Sequence, residues 1–258
     1  MSSLHELQEQ RADECRLVAE RALQSLEDAE SFLHDRRLLT RTADCSLPSL
    51  FKAMHEEPYA AGTGGFGSWP RTKYPWSFQL SSKEHVYTLK IHRGKTLYLS
   101  EEAARLVDPI CRAEIERLQE AEERCDRLLR HLASAGPSLV EDIQVELSLS
   151  SPELKDVRSL LERCGAVATR AVIVPARSGG HRHQGELVRW DQVFTDTVTA
   201  APDLGPLVVA GVRAAVVVPE REPRRWFSWT WRWEDDLVER LLDRGELVRP
   251  EPGWLAAT

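Results

Sequence analysis

Two histidines lie one residue apart in the stretch PARSGGHRHQGELVRW, Pro175 to Trp190. Imidazole nitrogens bind metal ions when neutral and anions when protonated. A metal site needs more ligands than His181 and His183, and the glycine-rich loop that holds them contains no cysteine or carboxylate, so we predict no metal site. Arg177 and Arg182 lie beside the histidines, which favours a loop that contacts phosphates. An inert, solvated polar loop is the alternative.

A second group of polar and basic residues lies on a predicted helix from Ser151 to Cys164. Ser151, Pro152 and an early glutamate favour the helix start, and Gly165 favours its end. Helical spacing predicts a buried stripe of Leu154, Val157, Leu160, Leu161 and Cys164, and an exposed face of Lys155, Arg158, Ser159 and Arg163. Such a face suits the major groove of DNA, and ordinary surface charge is an equal alternative.

Aromatic and basic residues are interleaved in a long predicted loop, Pro58 to Gln79. Its rings are Phe66, Trp69, Tyr74, Trp76 and Phe78, and its cations are Arg71 and Lys73. Rings can stack on bases while cations bind phosphates, but the same rings could instead cover the core. A further basic cluster of Lys90, Arg93 and Lys95 lies in a segment, His85 to Leu99, whose alternation on either side of Arg93-Gly94 predicts a β-hairpin.

The acid/base group nearest this loop is His55-Glu56-Glu57. A carboxylate within hydrogen-bond reach could orient a water molecule, so Glu56 and Glu57 are the catalytic candidates. The alternative is that both are solvated at a helix end.

The nearby string GTGGFG, Gly62 to Gly67, matches G-x-G-x-x-G but lacks a strand before it and an amphipathic helix after it. It therefore predicts no dinucleotide, and we expect no cofactor.

Composition limits the class of protein. The chain has 258 residues, a net charge of -7, 42% hydrophobic and 29% charged residues. An acidic chain does not bind nucleic acid indiscriminately, so any such surface must be a local basic one. Five scattered cysteines predict neither a disulfide framework nor a zinc site. The absence of a signal-like or bilayer-spanning apolar run leads us to expect a cytoplasmic protein without membrane contact.

The order of predicted elements indicates the fold class. A long helix should begin at Ser100 and run to about Ala133, bent or interrupted at Pro109. Farther on, a helix, a turn, a second helix and a two-stranded hairpin follow in the order typical of a winged helix. Near the C-terminus, Trp226, Trp229 and Trp233 have the spacing of a core-facing helical stripe.

These patterns predict a mainly α protein with small β-hairpins, of the α+β class, built from tandem winged-helix units. The predicted divisions are an N-terminal helix or extension (1–24), a first winged-helix-like unit (25–99), a connecting long helix (100–135), a second winged-helix unit (136–200) and a third winged-helix-like unit (204–258).

Several stretches together resemble a known family. They are SLEDAESFLHDRRLLT, LPSLFKAMHEEPY, GFGSWPRTKYPWSFQL, HVYTLKIHRGKTLYLS and the segment GHRHQGELVRWD. Between Ser25 and Trp254 the chain is similar to the AlkZ-related winged-helix DNA-binding proteins, relatives of the AlkZ/YcaQ glycosylases that unhook DNA crosslinks. Those glycosylases use a Gln-x-Gln signature to position a water molecule. Gln8-Glu9-Gln10 has this spacing but precedes the similar segment, so we assign it no catalytic role.

The resemblance implies a protein that binds double-stranded DNA, linked to DNA repair or alkylation tolerance. A glycosylase that removes alkylated or crosslinked bases is the first alternative. A non-catalytic scaffold for protein interactions is the second, and it agrees with the acidic net charge. Neither the resemblance nor the residues predict the oligomeric state or the preferred lesion.

Overall fold

The computed structural model describes residues 3–175 and 180–258. Helices and short strands alternate along these two ranges. The helices are α1 (Leu4–Glu14), α2 (Leu26–Arg36), α3 (Leu50–Ala53), α4 (Trp76–Ser81), α5 (Glu101–Ala121), α6 (Glu123–Ala135), α7 (Val140–Glu146), α8 (Ser151–Arg163), α9 (Trp190–Val193), α10 (Gly205–Ala215) and α11 (Leu237–Asp243). The strands are β1 (Leu38–Thr40), β2 (Val86–His92), β3 (Lys95–Ser100), β4 (Ser138–Leu139), β5 (Val167–Pro175), β6 (His181–Arg189), β7 (Val217–Pro219), β8 (Leu247–Val248) and β9 (Trp254–Ala257).

The strands of the described residues form three small antiparallel sheets. Their orders are β1-β3-β2, β4-β6-β5 and β7-β9-β8. The first two sheets each combine a predicted hairpin with one short extra strand, β1 or β4, that the sequence did not predict. In the third sheet, β9 pairs with both β7 and β8. Helices with small antiparallel sheets confirm the predicted α+β class.

Serine caps fix the starts of the main helices. Ser25 accepts a hydrogen bond from the amide of Asp28, and Ser100 accepts one from the amide of Ala103. The cap of α8 lies one residue before the predicted one, because Ser150 forms the reciprocal capping box with Glu153. The caps supply acceptors for amides that have no partner in the first turn, so a local sequence signal was enough to place these helix starts.

Helix α5 continues through Pro109, so this proline does not interrupt the helix, and a bend there stays a prediction. The long helix breaks instead at Glu122, whose backbone is extended. Proline removes one hydrogen bond and usually ends or kinks a helix. Here the helix is buried on both sides of the proline, with Val107 and Ile110 fully covered. We infer that this packing offsets the lost hydrogen bond.

Two buried carboxylates tie α5 to distant parts of the chain. Asp108 and Glu114 are both fully buried. Asp108 accepts hydrogen bonds from the indole nitrogen of Trp190 at 2.8 Å and from the amide nitrogen of Val198 at 3.0 Å. Glu114 accepts one from Nε of Arg232 at 2.7 Å. Because a buried charge is stable only when it is fully paired, these contacts fix the position of the C-terminal half against α5.

The C-terminal tryptophans pack as expected but not on a helix. Trp226 and Trp229 are 0% and 1% exposed. They lie between two short 3-10 turns, Pro223–Arg225 and Thr230–Arg232. The indole nitrogen of Trp229 donates to the backbone oxygen of Cys164 at 2.9 Å. Tertiary packing and this hydrogen bond, which helical spacing could not reveal, determine the local backbone.

Within the described ranges, no helix is both long and apolar enough to cross a bilayer. The apolar helix α10 is instead packed inside the fold, where Leu207 and Val208 are fully buried.

Replacing Asp108 with Ala should destabilise the protein by about 3–5 kcal/mol, since it leaves the buried Trp190 and Val198 donors unpaired. Urea unfolding followed by tryptophan fluorescence measures the change. Glu116→Ala on the same helix is the control, because Glu116 is exposed and its loss should cost less than about 0.5 kcal/mol. Equal effects of the two substitutions would contradict the role assigned to Asp108.

Candidate functional site

A groove of about 260 Å³ separates the first sheet from the β5–β6 hairpin. Strand β2 lies beside β5, but the two belong to different sheets and leave a cleft between them. The groove is lined by Arg41, Ser77, Phe78, Ser81, Thr88, Leu89, Lys90, Thr96, Tyr98, Thr169, Arg170, Ala171, His183, Gln184 and Gly185. We name this cleft the inter-sheet groove.

The described lining of the inter-sheet groove contains no aspartate or glutamate. A neighbouring cleft between the same two sheets shares Arg170 and is lined by Glu186, which lies opposite Arg170 in the β5–β6 ladder. The inter-sheet groove contains Arg41, Lys90, Arg170 and His183, although the whole chain carries a net charge of -7. Low-dielectric walls that present one sign of charge concentrate the electrostatic potential in a cleft. The groove is therefore suited to an anionic ligand.

Arg41 and Arg170 carry the free charge of this groove. The guanidinium of Arg41 lies 4.6 Å from the ring centroid of Trp69. Arg170 is exposed on β5. Within the described ranges neither guanidinium forms an ion pair with a carboxylate. Both were missed from the sequence; the signal for Arg170 was a single charge within the apolar strand AVATRAVIVP.

Lys90, which lines the groove, and Arg158, which does not, both serve a structural role. Nζ of Lys90 lies 2.8 Å from Oε1 of Glu162, and Nε of Arg158 lies 3.2 Å from the same oxygen. The hydroxyl of Thr169 also donates to Glu162. Because Glu162 is buried, these donors satisfy its charge and hold α8 against β2 and β5. Two of the predicted DNA-binding cations are thus neutralised.

Arg93 and Lys95 are also paired. Both lie against Asp44, with Nη2 of Arg93 at 2.9 Å from Oδ2. His92 completes the cluster: its Nε2 lies 2.9 Å from Oδ1 of Asp44, and its Nδ1 lies 2.6 Å from the backbone oxygen of Trp226. Partial burial raises the pKa of Asp44, but hydrogen bonds from Lys95 and His92 and the charge of Arg93 outweigh it and lower the pKa to about 2.

Within the described ranges, Asp44, Cys45 and His92 are grouped closely enough to hold a metal ion. The cations Arg93 and Lys95 already bind the carboxylate and would repel a divalent ion. We therefore interpret the group as an ion-pair cluster that holds the tip of the first hairpin.

The aromatic loop both packs and exposes its rings. Trp69, Tyr74 and Trp76 pack against the core of the first sheet. Nζ of Lys73 donates to the backbone oxygen of Leu23 at 2.7 Å, so this predicted DNA-binding cation is turned inward. Arg71 is exposed but does not line the inter-sheet groove.

The predicted loop Pro58 to Gln79 is wrong at its end, because α4 begins at Trp76 and includes Phe78. Among the described rings of this segment, Phe78 reaches the inter-sheet groove. It is 41% exposed, and its ring centroid lies 6.5 Å from that of Trp69. The two interpretations of the loop, packing and stacking, therefore apply to different rings.

The predicted wing residues lie in a strand. We expected His181 and His183 in the loop between two strands, but β6 begins at His181. His183 pairs with Ile173, so the β5–β6 ladder continues toward the tip of this hairpin. His183 lines the inter-sheet groove, whereas the guanidinium nitrogens of Arg182 each lie 2.8 Å from a carboxylate oxygen of Glu141. Arg177 lies outside the described residues.

The exposed face of α8 differs from the prediction at two positions, Arg158, which is partly buried against Glu162, and Leu160. Lys155, Ser159 and Arg163 are exposed as expected. Leu160, which we placed in the buried stripe, is 40% exposed. The core on that side of α8 is closed by Leu161 without it. This face does not line the inter-sheet groove.

The comparisons with known proteins concern the fold. No family model matches the sequence, and no curated protein matches it. The structure is similar to that of Streptomyces sahachiroi DNA glycosylase AlkZ, with a TM-score of 0.57 and 11% identity, over 100% of this chain and 70% of that chain. The chain has an AlkZ-related fold. The resemblance predicted from the sequence is confirmed at this level.

Within the AlkZ-related fold, the catalytic candidates lie away from the inter-sheet groove. The carboxylate of Glu56 accepts hydrogen bonds from the amides of Thr72 at 3.0 Å and Lys73 at 2.8 Å. Partial burial raises the pKa of Glu56, but these hydrogen bonds outweigh burial and lower it. Glu57 is exposed. Glu56 therefore stabilises the backbone of the aromatic loop at Thr72 and Lys73.

The glutamines of the Gln-x-Gln spacing are also remote. Gln8 and Gln10 are exposed on α1, and the side chain of Gln10 donates to Glu14 at 2.7 Å. Neither lines the inter-sheet groove.

The Asp44 cluster predicts a pH dependence of stability. Because the folded pKa of Asp44 lies below its ordinary value, its stabilisation is complete above about pH 4 and is lost as the pH falls toward 2. Asp44→Asn should lower the free energy of unfolding at pH 7 by about 1 kcal/mol, after allowance for solvent screening. Urea unfolding at several pH values should show this difference shrinking between pH 4 and 2. A difference that is constant over that range would contradict the assignment.

Proposed function

We propose that this protein binds double-stranded DNA through the inter-sheet groove and the adjoining β5–β6 hairpin, in a role linked to DNA repair. The observation that carries the proposal is the lining of the groove in an acidic chain: among the described residues it contains no carboxylate, and its two arginines form no ion pair. DNA is the polyanion that such a local basic surface fits.

The chemistry of the two arginines supports phosphate as the group they bind. A guanidinium presents several donors in one plane and pairs with phosphate through two hydrogen bonds at once. Trp69 holds the guanidinium plane of Arg41, so little side-chain freedom is lost when a phosphate binds. Arg170 lies across the groove on β5.

The β5–β6 hairpin extends this surface. Its residues His181, Arg182 and His183 are exposed, and Ile173 beside them is 63% exposed. The Arg182–Glu141 pair is on the surface, where ion pairs contribute little, so a phosphate can replace the carboxylate at small cost. In this proposal the hairpin acts as a wing that contacts the DNA backbone.

The exposed face of α8 supplies the second contact in this proposal. Lys155, Ser159 and Arg163 would approach the major groove, as the second helix of a helix-turn-helix does. The proposed units are those predicted from the sequence, 25–99, 136–200 and 204–258, joined by the segment 100–135. Each contains one of the three small sheets.

DNA glycosylase activity is the second candidate, because the fold is similar to that of a protein named as a DNA glycosylase. Such chemistry needs a carboxylate or amide that positions water beside the developing sugar cation. The described lining of the inter-sheet groove offers no carboxylate, and Glu56 is engaged in the aromatic loop. We therefore favour binding without base release.

The DNA-binding proposal predicts a change in salt dependence. Arg41→Gln combined with Arg170→Gln should weaken duplex binding at least ten-fold at low salt. The magnitude of the slope of log affinity against log salt should fall by about two, since each lost phosphate contact removes about one released counterion. Fluorescence anisotropy of a labelled duplex across a salt series measures both quantities.

The matched control is Arg130→Gln combined with Arg244→Gln, which removes two arginines that are 75% and 58% exposed and do not line the groove. The control should leave the slope unchanged. If both double variants reduce affinity equally, binding is diffuse and the groove is not the contact surface.

A separate experiment distinguishes DNA binding without catalysis from glycosylase activity. We expect no abasic sites when purified protein is incubated with duplex DNA carrying N7-alkylated guanine, because no water-positioning carboxylate lines the groove. Alkaline cleavage followed by gel electrophoresis measures abasic sites. Their accumulation with this protein, and its loss in Glu57→Gln at unchanged DNA affinity, would establish the glycosylase alternative.

A further inference from the structure

We infer that the inter-sheet groove accommodates a single unpaired nucleotide, with its base on the ring of Phe78 and its phosphates on Arg41 and Arg170. This inference rests on the proposed DNA binding and adds a preference for DNA in which a base is already out of the helix. It assigns Phe78 as the residue that provides this preference.

The size of the groove supports one nucleotide. Its volume of about 260 Å³ lies near the lower limit of pockets that hold small organic ligands. A B-form duplex cannot enter it, since the major groove of DNA alone is about 12 Å wide. The duplex would remain outside, against the hairpin, while one nucleotide enters.

The exposure of Phe78 supports a stacking partner. The ring packs near Trp69 within the aromatic cluster and remains 41% exposed at the groove. Tyr98, which also lines the groove, is by contrast buried and donates its hydroxyl hydrogen to the backbone oxygen of Ser77. An exposed ring in a groove provides an apolar surface that the flat face of a base can cover.

The structure of DNA determines which bases can use this ring. In an intact duplex both faces of a base are covered by its neighbours, so a protein ring cannot stack on it. A base that has left the stack exposes both faces, and enzymes that act on bases bind it between aromatic or apolar side chains. Stacking is possible for every base, so the preference concerns unpaired over paired DNA and is independent of sequence.

The polar lining suits the rest of the nucleotide. The hydroxyls of Thr88 and Thr96 line the groove, and neither forms a hydrogen bond with a described residue. They are available to the sugar or the base edge, while the two arginines are available to the phosphates. Lys90, which Glu162 neutralises, adds no free charge that would favour a phosphate in the place of the base.

The experiment compares three DNAs of the same sequence at one salt concentration: an intact duplex, the duplex with one extra unpaired nucleotide, and the single strand. Fluorescence anisotropy gives the affinity for each. The wild-type protein should bind the duplex with an unpaired nucleotide roughly ten-fold more tightly than the intact duplex. Phe78→Leu, which keeps an apolar side chain, should abolish this ratio, and Phe78→Trp should retain it.

Tyr59→Ala is the control, because Tyr59 is a 61% exposed ring in the loop that precedes α4 and does not line the groove. It should retain the wild-type ratio. Thermal unfolding of every variant verifies folding, and Phe78→Trp keeps the test valid if Phe78→Leu fails to fold.

The outcomes separate the inference from the proposed function. Salt-dependent duplex binding without a preference for the unpaired nucleotide, or with a preference that Phe78→Leu retains, overturns the inference alone. Absence of binding to all three DNAs overturns the proposed function as well.

Discussion

The full pairing of the two buried carboxylates on α5 is the constraint on which the arrangement of the three sheets depends. A carboxylate removed from water is tolerated only when its oxygens are satisfied, so Asp108 and Glu114 require their partners at fixed positions. Asp108 binds Trp190, the residue that follows β6, and Glu114 binds Arg232 in the C-terminal 3-10 turn Thr230–Arg232. One helix thus ties the end of the β5–β6 hairpin and the C-terminal segment to the same core.

A third buried carboxylate determines which cations remain free in the inter-sheet groove. Glu162 on α8 takes Lys90 and Arg158 as partners, because only ion pairs and hydrogen bonds can offset its burial. Arg170, on the strand beside it, has no such partner. The same principle explains why basic residues that look equivalent in the sequence have different roles. Some form structural ion pairs, and others remain available to bind a ligand. A count of basic residues alone would have assigned all of them to ligand binding.

Local signals predicted much of the fold, whereas tertiary contacts decided the parts that were missed. Serine caps and alternation around Arg93-Gly94 depend on neighbouring residues, so the helix starts and the first hairpin could be predicted. Pro109 and Trp229 depend on packing and on a hydrogen bond to a residue far away in the chain, which spacing does not contain. The same holds for the candidate site. The sequence predicted His183 as a contact residue, but it did not predict Arg41, because only the tertiary fold places Arg41 and Arg170 in one groove.

The acidic charge of the chain and a role in DNA binding are compatible because the charges are segregated. Carboxylates elsewhere on the surface repel a polyanion, and this repulsion weakens non-specific contacts on most faces. In the described part of the inter-sheet groove the lining is free of carboxylates, so the proposed attraction is strongest at the cleft that also contains Phe78. A basic surface spread over the molecule would bind any duplex in any orientation. In the proposed mode of binding, a basic cleft would instead present the DNA backbone to one exposed ring, and this coupling of charge and shape would let an acidic protein discriminate between paired and unpaired nucleotides.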